Sequence, residues 1–138
     1  MEPSPFLLDS SAILTLLEDE AGAGRVEEVI HNEQTFLPWP VLLEVYYISQ
    51  QEGGPAEADR RYALLKKLPC EILWQMDEPT LLTAARFKAE HKLSLADALI
   101  AAFARSHGAV LLHKDPEFDS LAEHVALEAL PYKGSLKG

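Results

Sequence analysis

Four carboxylates stand where this chain is placed to do chemistry: Asp9, Glu44, Asp97 and Asp115. Each has a plain structural use when taken alone. Asp9 follows Phe6-Leu7-Leu8 and precedes Ser10-Ser11, so it suits the N-cap of a following helix, where its oxygen accepts free backbone N–H groups. Asp115 is followed by Pro116, which fits the first position of a helix, and a cap would explain it too. Asp97 lies three residues after Ser94, the spacing of a capping box, although glutamate is the preferred third residue. Glu44 is harder to account for. Its neighbours at helical spacing are Val41, Tyr47 and Ile48, an apolar stripe on which an unpaired charge is costly. It requires either a buried salt bridge, for instance with Arg86, or a cation held by several carboxylates.

The four together strain the capping account. Carboxylates that cluster repel one another unless a cation neutralises them. Oxygen ligands without nearby Cys or His pairs favour Mg²⁺ or Mn²⁺ over zinc. Such ions coordinate phosphate oxygens and activate water. The residues therefore point to metal-dependent phosphoryl chemistry. Asp119, one turn beyond Asp115, is placed to reach the same site. Lys114 sits beside Asp115 and serves either a scissile phosphate or simple charge balance.

The elements that must position these groups can be read from apolar runs and breakers. Phe6-Leu7-Leu8 is a short unbroken apolar run, the pattern of a strand buried on both faces of a parallel sheet. Chemistry in such sheets sits just past the carboxyl ends of the strands, and Asp9 is at that place. Further strands are expected at Thr35-Phe36-Leu37, at 70–74, at 109–112 and at Val125-Ala126-Leu127. Helices are expected over 12–17, 25–31, 41–51, 55–68, 78–92 and 94–107, with a short one opening at Asp115-Pro116. Pro38, Pro40 and Gly53-Gly54-Pro55 punctuate the middle of the chain, and Gly108 fits a helix C′ position. Helix 94–107 is apolar almost all round, which marks a buried helix, and Asp97 is the single charge in its first ten residues. Strands alternating with helices predict parallel βα units with right-handed crossovers.

Bulk properties narrow the class. The 138 residues fit one domain, with a core from about 6 to 130 and a loose tail over 131–138. Hydrophobic residues make up 48% and charged ones 25%, so the chain folds rather than staying disordered. One cysteine, Cys70, excludes an internal disulfide framework and suits a reducing compartment. It is expected as a small buried side chain. No apolar run approaches a membrane span, and Met1-Glu2-Pro3-Ser4-Pro5 lacks a signal-peptide pattern, so a cytoplasmic protein is expected. Twelve basic against 22 acidic residues give a net charge of −10. That balance argues against a broad nucleic-acid surface and fits a bound cation or a basic partner. Arg60, Arg61, Lys66 and Lys67 form the densest basic segment, either a solvated helix face or an RNA-guiding edge. The histidines show no metal-ligand spacing. Trp39, Tyr46 and Tyr47 are expected to pack in the core, a dimer face or partner groove being the alternative.

At this point the residues resemble a family. The series L-L-D-S-S-A-I-L, L-L-E-V-Y-Y, S-L-A-D-A-L-I-A-A-F-A and L-L-H-K-D-P-E-F-D-S-L is similar to that of PIN domains, and within them to the VapC-type toxins of toxin–antitoxin pairs. The resemblance runs from Phe6 to about Leu130. It implies a three-layer α/β/α fold with a central parallel sheet of four to five strands. It implies an endoribonuclease dependent on Mg²⁺ or Mn²⁺, whose acidic quartet is Asp9, Glu44, Asp97 and Asp115. Cleavage would leave a 5′-phosphate and a 3′-hydroxyl. Ser11 matches the small polar position that orients ligands, and Asp119 a less constant acidic one. His113 departs from the family, which more often has Thr or Ser there. An RNA substrate, a cognate antitoxin and a homodimer are further implications. The alternatives are a PIN nuclease of RNA processing without an antitoxin, and a scaffold that has lost catalysis.

Overall fold

A computed structural model of the chain describes residues 3–132. Five strands form one sheet, all parallel, in the order β3-β2-β1-β4-β5. They are β1 Phe6–Leu8, β2 Thr35–Pro38, β3 Glu71–Leu73, β4 Val110–His113 and β5 Leu127–Ala129. Six helices connect and cover them: α1 Ser10–Leu17, α2 Ala23–Asn32, α3 Trp39–Gly53, α4 Pro55–Lys67, α5 Glu78–Glu90 and α6 Leu95–Ser106. A 3-10 turn, Pro116–Leu121, leads from β4 toward β5. The result is the expected α/β/α arrangement.

The central strands are apolar for the reason the sequence suggests. Leu7, Leu8, Leu111 and Leu112 are fully buried, since helices cover both faces of the sheet. α6 is buried almost throughout, with Ala98, Ile100, Ala101, Ala102, Phe103 and Ala104 all inside. The chain order reverses between β1 and β4: β2 and β3 lie on one side of β1, β4 and β5 on the other. A crevice opens at such a reversal, outside the carboxyl ends of the strands. The register pairs Leu7 with Leu111 and Leu8 with Leu112. Asp9 N–H then donates to Leu112 C=O at 3.2 Å, so the residues after β1 and β4 emerge side by side.

Boundaries shift by a residue or two from expectation, and two shifts have clear causes. α1 begins at Ser10, because Asp9 caps it and accepts from Ala12 N–H. α3 begins at Trp39 rather than Val41, because Pro40 falls in the first turn, where a missing N–H costs nothing. Glu44 is half-buried and has no arginine partner: Arg86 is exposed on α5, and α5 packs chiefly on α6. Tyr46 packs edge-on against Tyr62 and donates to Asp59, whereas Tyr47 is 45% exposed rather than in the core. Cys70 is half-buried, and burial pushes its thiol up to about 11. Within the stretch expected to be loose, Tyr132 is held by its hydroxyl, which donates to Asp119 at 3.2 Å; 133–138 lie outside the described residues. No helix among the described residues is long and apolar enough to cross a membrane.

Gly22 marks a connection that leaves little space for a side chain. It caps α2 with φ +103°, and a Cβ there would lie 3.2 Å from Pro131 and 3.3 Å from Leu130. Gly22→Ala should cost about 1–3 kcal/mol of stability through backbone strain and crowding. Urea denaturation checks it; an unchanged midpoint would show that the connection relaxes freely.

Candidate active site

The four sequence-predicted carboxylates line one cleft of about 320 Å³ at the β1–β4 reversal. Asp9 comes from the end of β1, Glu44 from α3, Asp97 from the first turn of α6, and Asp115 from the residues after β4. Asp9 and Asp97 are buried, 2% and 9% exposed, while Glu44 and Asp115 are half-buried. Capping and clustering coexist. Asp9 caps α1, Asp115 accepts from Glu117 N–H at 2.9 Å, and Ser94 rather than Asp97 caps α6. A carboxylate has lone pairs to spare, so a cap does not exclude it from a site.

Two serines orient the acids. Ser11 Oγ lies 2.7 Å from both oxygens of Asp9 and accepts from Lys114 N–H at 2.8 Å, tying the ends of β1 and β4 together. Ser10 Oγ donates to Glu44 at 2.5 Å and fixes that side chain across the cleft. Sequence reading singled out Ser11 and passed over Ser10. It also passed over Glu117, whose carboxylate lies with those of Asp97 and Asp115 within 4.8 Å of one another. The signal for Glu117 was its place two residues past Asp115 in a tight turn.

Three other candidates stand elsewhere. Asp119 is exposed and bonded to Tyr132, outside the cleft lining. Lys114 turns its amine away, to Glu20 at 3.2 Å and Ala21 C=O at 3.0 Å. His113 is fully buried beneath the site, its Nδ1 accepting from Asp115 N–H at 3.1 Å. It therefore positions the Asp115 backbone by the nitrogen a Thr or Ser hydroxyl would replace. Burial lowers its pKa, so the neutral ring that can accept is the favoured form. The Arg60–Lys67 segment is also engaged locally: Arg60 and Arg61 both bind Glu57, and Arg61 reaches Glu18. A larger hollow of about 600 Å³ beside β3 includes Glu71 and Asp77. Asp77 is committed to capping α5, and acids do not converge there as they do in the smaller cleft.

The electrostatics of the cleft follow from crowding without a counter-charge. Burial raises the Asp9 carboxyl to about 7; the Asp115 charge adds to this, and bonds from Ala12 N–H and Ser11 oppose it. Asp97 rises to about 8, first by burial, then by the charges of Asp115, Asp9 and Glu44. The donor set is all oxygen and partly buried, which fits a hard divalent cation. Charging buried groups whose folded pKa is raised costs stability. The folded state holds more protons than the unfolded chain between about pH 4 and 8, so the metal-free protein should lose stability as pH rises through that window. A cation that compensates the charge should restore it. Melting temperatures from pH 5 to 8.5 in EDTA and in millimolar Mn²⁺ test this. The Mn²⁺-induced rise should grow with pH and vanish in Asp97→Asn, and a pH-independent or absent rise would contradict the cation-site reading.

Known proteins share this fold. A model of the PIN domain matches residues 6–124. Among curated proteins, no sequence matches the chain significantly. Among solved structures, the chain is similar to VapBC2 from Rickettsia felis bound to a promoter DNA fragment, with TM-score 0.74 and 15% identity over 91% of this chain and 98% of that one. It is similar to DNA-bound VapBC from Salmonella typhimurium, with TM-score 0.71 and 19% identity over 92% and 98%. It is also similar to VapC20 of Mycobacterium tuberculosis, a sarcin–ricin loop cleaving toxin, with TM-score 0.69 and 17% identity over 87% and 96%. The matched span contains β1 through the 3-10 turn and with them every carboxylate of the cleft, and the chain belongs to the PIN domain family.

Proposed function

We propose that this protein is a divalent-metal-dependent endoribonuclease and the toxin of a toxin–antitoxin pair. The observation that carries the reading is the convergence of Asp9, Glu44, Asp97, Asp115 and Glu117 on one cleft with no basic side chain among its lining residues. Family membership supports nuclease chemistry, and the similarity to the Mycobacterium tuberculosis toxin that cleaves the sarcin–ricin loop supports RNA as substrate. In this reading Asp97, Asp115 and Glu117, with Asp9 and Glu44 in the same cleft, would hold Mg²⁺ or Mn²⁺. A bound ion of this kind supplies Lewis acidity to a phosphodiester and lowers the pKa of water. The chain supplies the geometry. Ser11 holds Asp9 in one rotamer, and Ser10 holds Glu44. His113 fixes the Asp115 backbone from below. Asp97 sits at the buried N-terminal turn of α6, where its reach is set by the helix rather than by a loop.

The partner half of the reading rests on the mouth of the cleft. Leu43 and Tyr47 flank Glu44 on α3, and Leu95 follows Ser94; they are 59%, 45% and 63% exposed. An acidic cleft with exposed apolar side chains next in sequence to its lining residues complements a segment that offers one basic side chain between apolar ones. An arginine would make bidentate contacts to the carboxylates and compete with the ion by charge. The relatives solved as VapBC complexes support a partner of this kind. A homodimer belongs to the same reading.

Asn caps helices about as well as Asp, which separates structural from chemical roles. Asp9→Asn and Asp115→Asn should keep the fold by circular dichroism and abolish Mn²⁺-dependent cleavage of RNA. Ser10→Ala, which frees Glu44, should lower the rate by roughly tenfold, the effect of losing one ordering hydrogen bond worth about 1.4 kcal/mol. Active Asn variants at both positions would overturn the nuclease reading. Growth arrest on expression should require the intact carboxylates and be relieved by an adjacent short gene. Harmless expression of a protein that cuts RNA in vitro would instead favour an RNA-processing enzyme.

A further inference from the structure

We propose that the end of α5 and its connection to α6, carrying Lys88 and Lys92, is the lip along which the RNA backbone enters the cleft. The inference rests on the ribonuclease reading and adds the surface that holds the substrate. It begins with a deficit. A chain at −10 has little general attraction for a polyanion, and its cleft is acidic. Phosphate contacts must come from cations not already committed within the protein.

Most of the described cations are committed. Arg25 binds Glu28 and Glu128; Arg60 and Arg61 bind Glu57; Lys114 binds Glu20. Arg105 donates to the His124 carbonyl, and Lys66 lies over the Tyr62 ring. Lys67, Arg86, Lys88 and Lys92 remain, all exposed and without an ion pair among the described residues. Lys67 ends α4, the helix whose other cations are already paired. Lys88 lies in the last turn of α5, and Lys92 lies two residues past its end, beyond the extended C-cap His91.

Their place relative to the cleft is set by two links. Lys92 is two residues before Ser94, which lines the cleft and caps α6 immediately before Asp97. His91, between the two lysines, has its Nδ1 3.2 Å from Ser120 Oγ. Ser120 belongs to the same 3-10 turn as Glu117. The α5 terminus is thus docked onto the turn that forms one wall of the cleft. A strand of RNA lying along it would meet two uncommitted ammonium groups and then the carboxylates.

The test is binding of a labelled single-stranded RNA of mixed sequence to the metal-loaded full chain. It is measured in the Asp9→Asn background so that substrate is not consumed. Each lost phosphate contact on a single strand should flatten the slope of log affinity against log salt by about 0.7, so K88A/K92A should flatten it by about 1.4 and weaken binding roughly 25-fold at about 0.1 M salt. The Mn²⁺-induced rise in melting temperature should persist, since neither lysine is a ligand. K66A/K67A on α4 should bind RNA as the parent does. If the parent binds and K88A/K92A binds equally well with the same slope, or if K66A/K67A carries the loss, the lip is wrong while the nuclease reading stands. If the parent neither binds nor cuts RNA, both fall.

Discussion

The parallel pairing of β1 with β4 is the constraint on which everything else depends. It joins the first strand of the chain to the fourth. It creates the reversal in strand order, and it delivers Asp9 and Asp115 to the same end of the sheet. Neither strand is long enough to hold this register by backbone bonds alone, since β1 has three residues and β4 four. Consecutive leucines on both faces do not by themselves resist a one-residue slip, so the register is fixed beyond the strand ends, beginning with Asp9 N–H on Leu112 C=O. The Ser11 to Lys114 hydrogen bond then locks the same alignment beyond the last paired residues. Site and core are specified by one alignment.

Against that alignment works a concentration of negative charge. Asp9 and Asp97 are buried where water cannot screen them, and the fold does not answer them with an arginine or lysine. A stability-optimised protein would neutralise such a pair or replace it. That the cleft instead keeps its acids close, and spends two serine hydroxyls on orienting them, is a departure from local stability of the kind expected at functional sites. The surrounding core absorbs it. α6 brings Asp97 into place on a helix otherwise filled with Ala, Ile and Phe, so the cost of one charged group is offset by a fully packed neighbourhood.

Much of this was legible in the residues. The unbroken apolar runs gave the central strands because strands buried on both faces have no polar alternation. Asp97 stood out because it is the single charge in the first ten residues of an apolar helix, and Glu44 because it interrupts a stripe. The less visible parts depend on tertiary geometry. Nothing in the spacing of Ser10 and Glu44, 34 residues apart, announces a hydrogen bond between them. Glu117 was hidden because Asp115 caps the 3-10 turn and accepts from Glu117 N–H, which keeps that residue beside it, where an α-helical count favours Asp119. Lys114 misled for a related reason: adjacency in sequence to Asp115 put it at the site, but alternation along the extended chain sends neighbouring side chains to opposite sides.

The same long pairing bears on how the protein comes into being. Leu7 and its partner Leu111 are 111 − 7 = 104 residues apart. Closing so long a loop is slow, and contacts of this range form late in folding. During synthesis, at about 5–20 residues per second, β1 is made seconds before the strand it must lie beside. Asp97 and Asp115 are later still than Asp9 and Glu44. A nascent chain therefore holds no assembled cleft until β4 has left the ribosome.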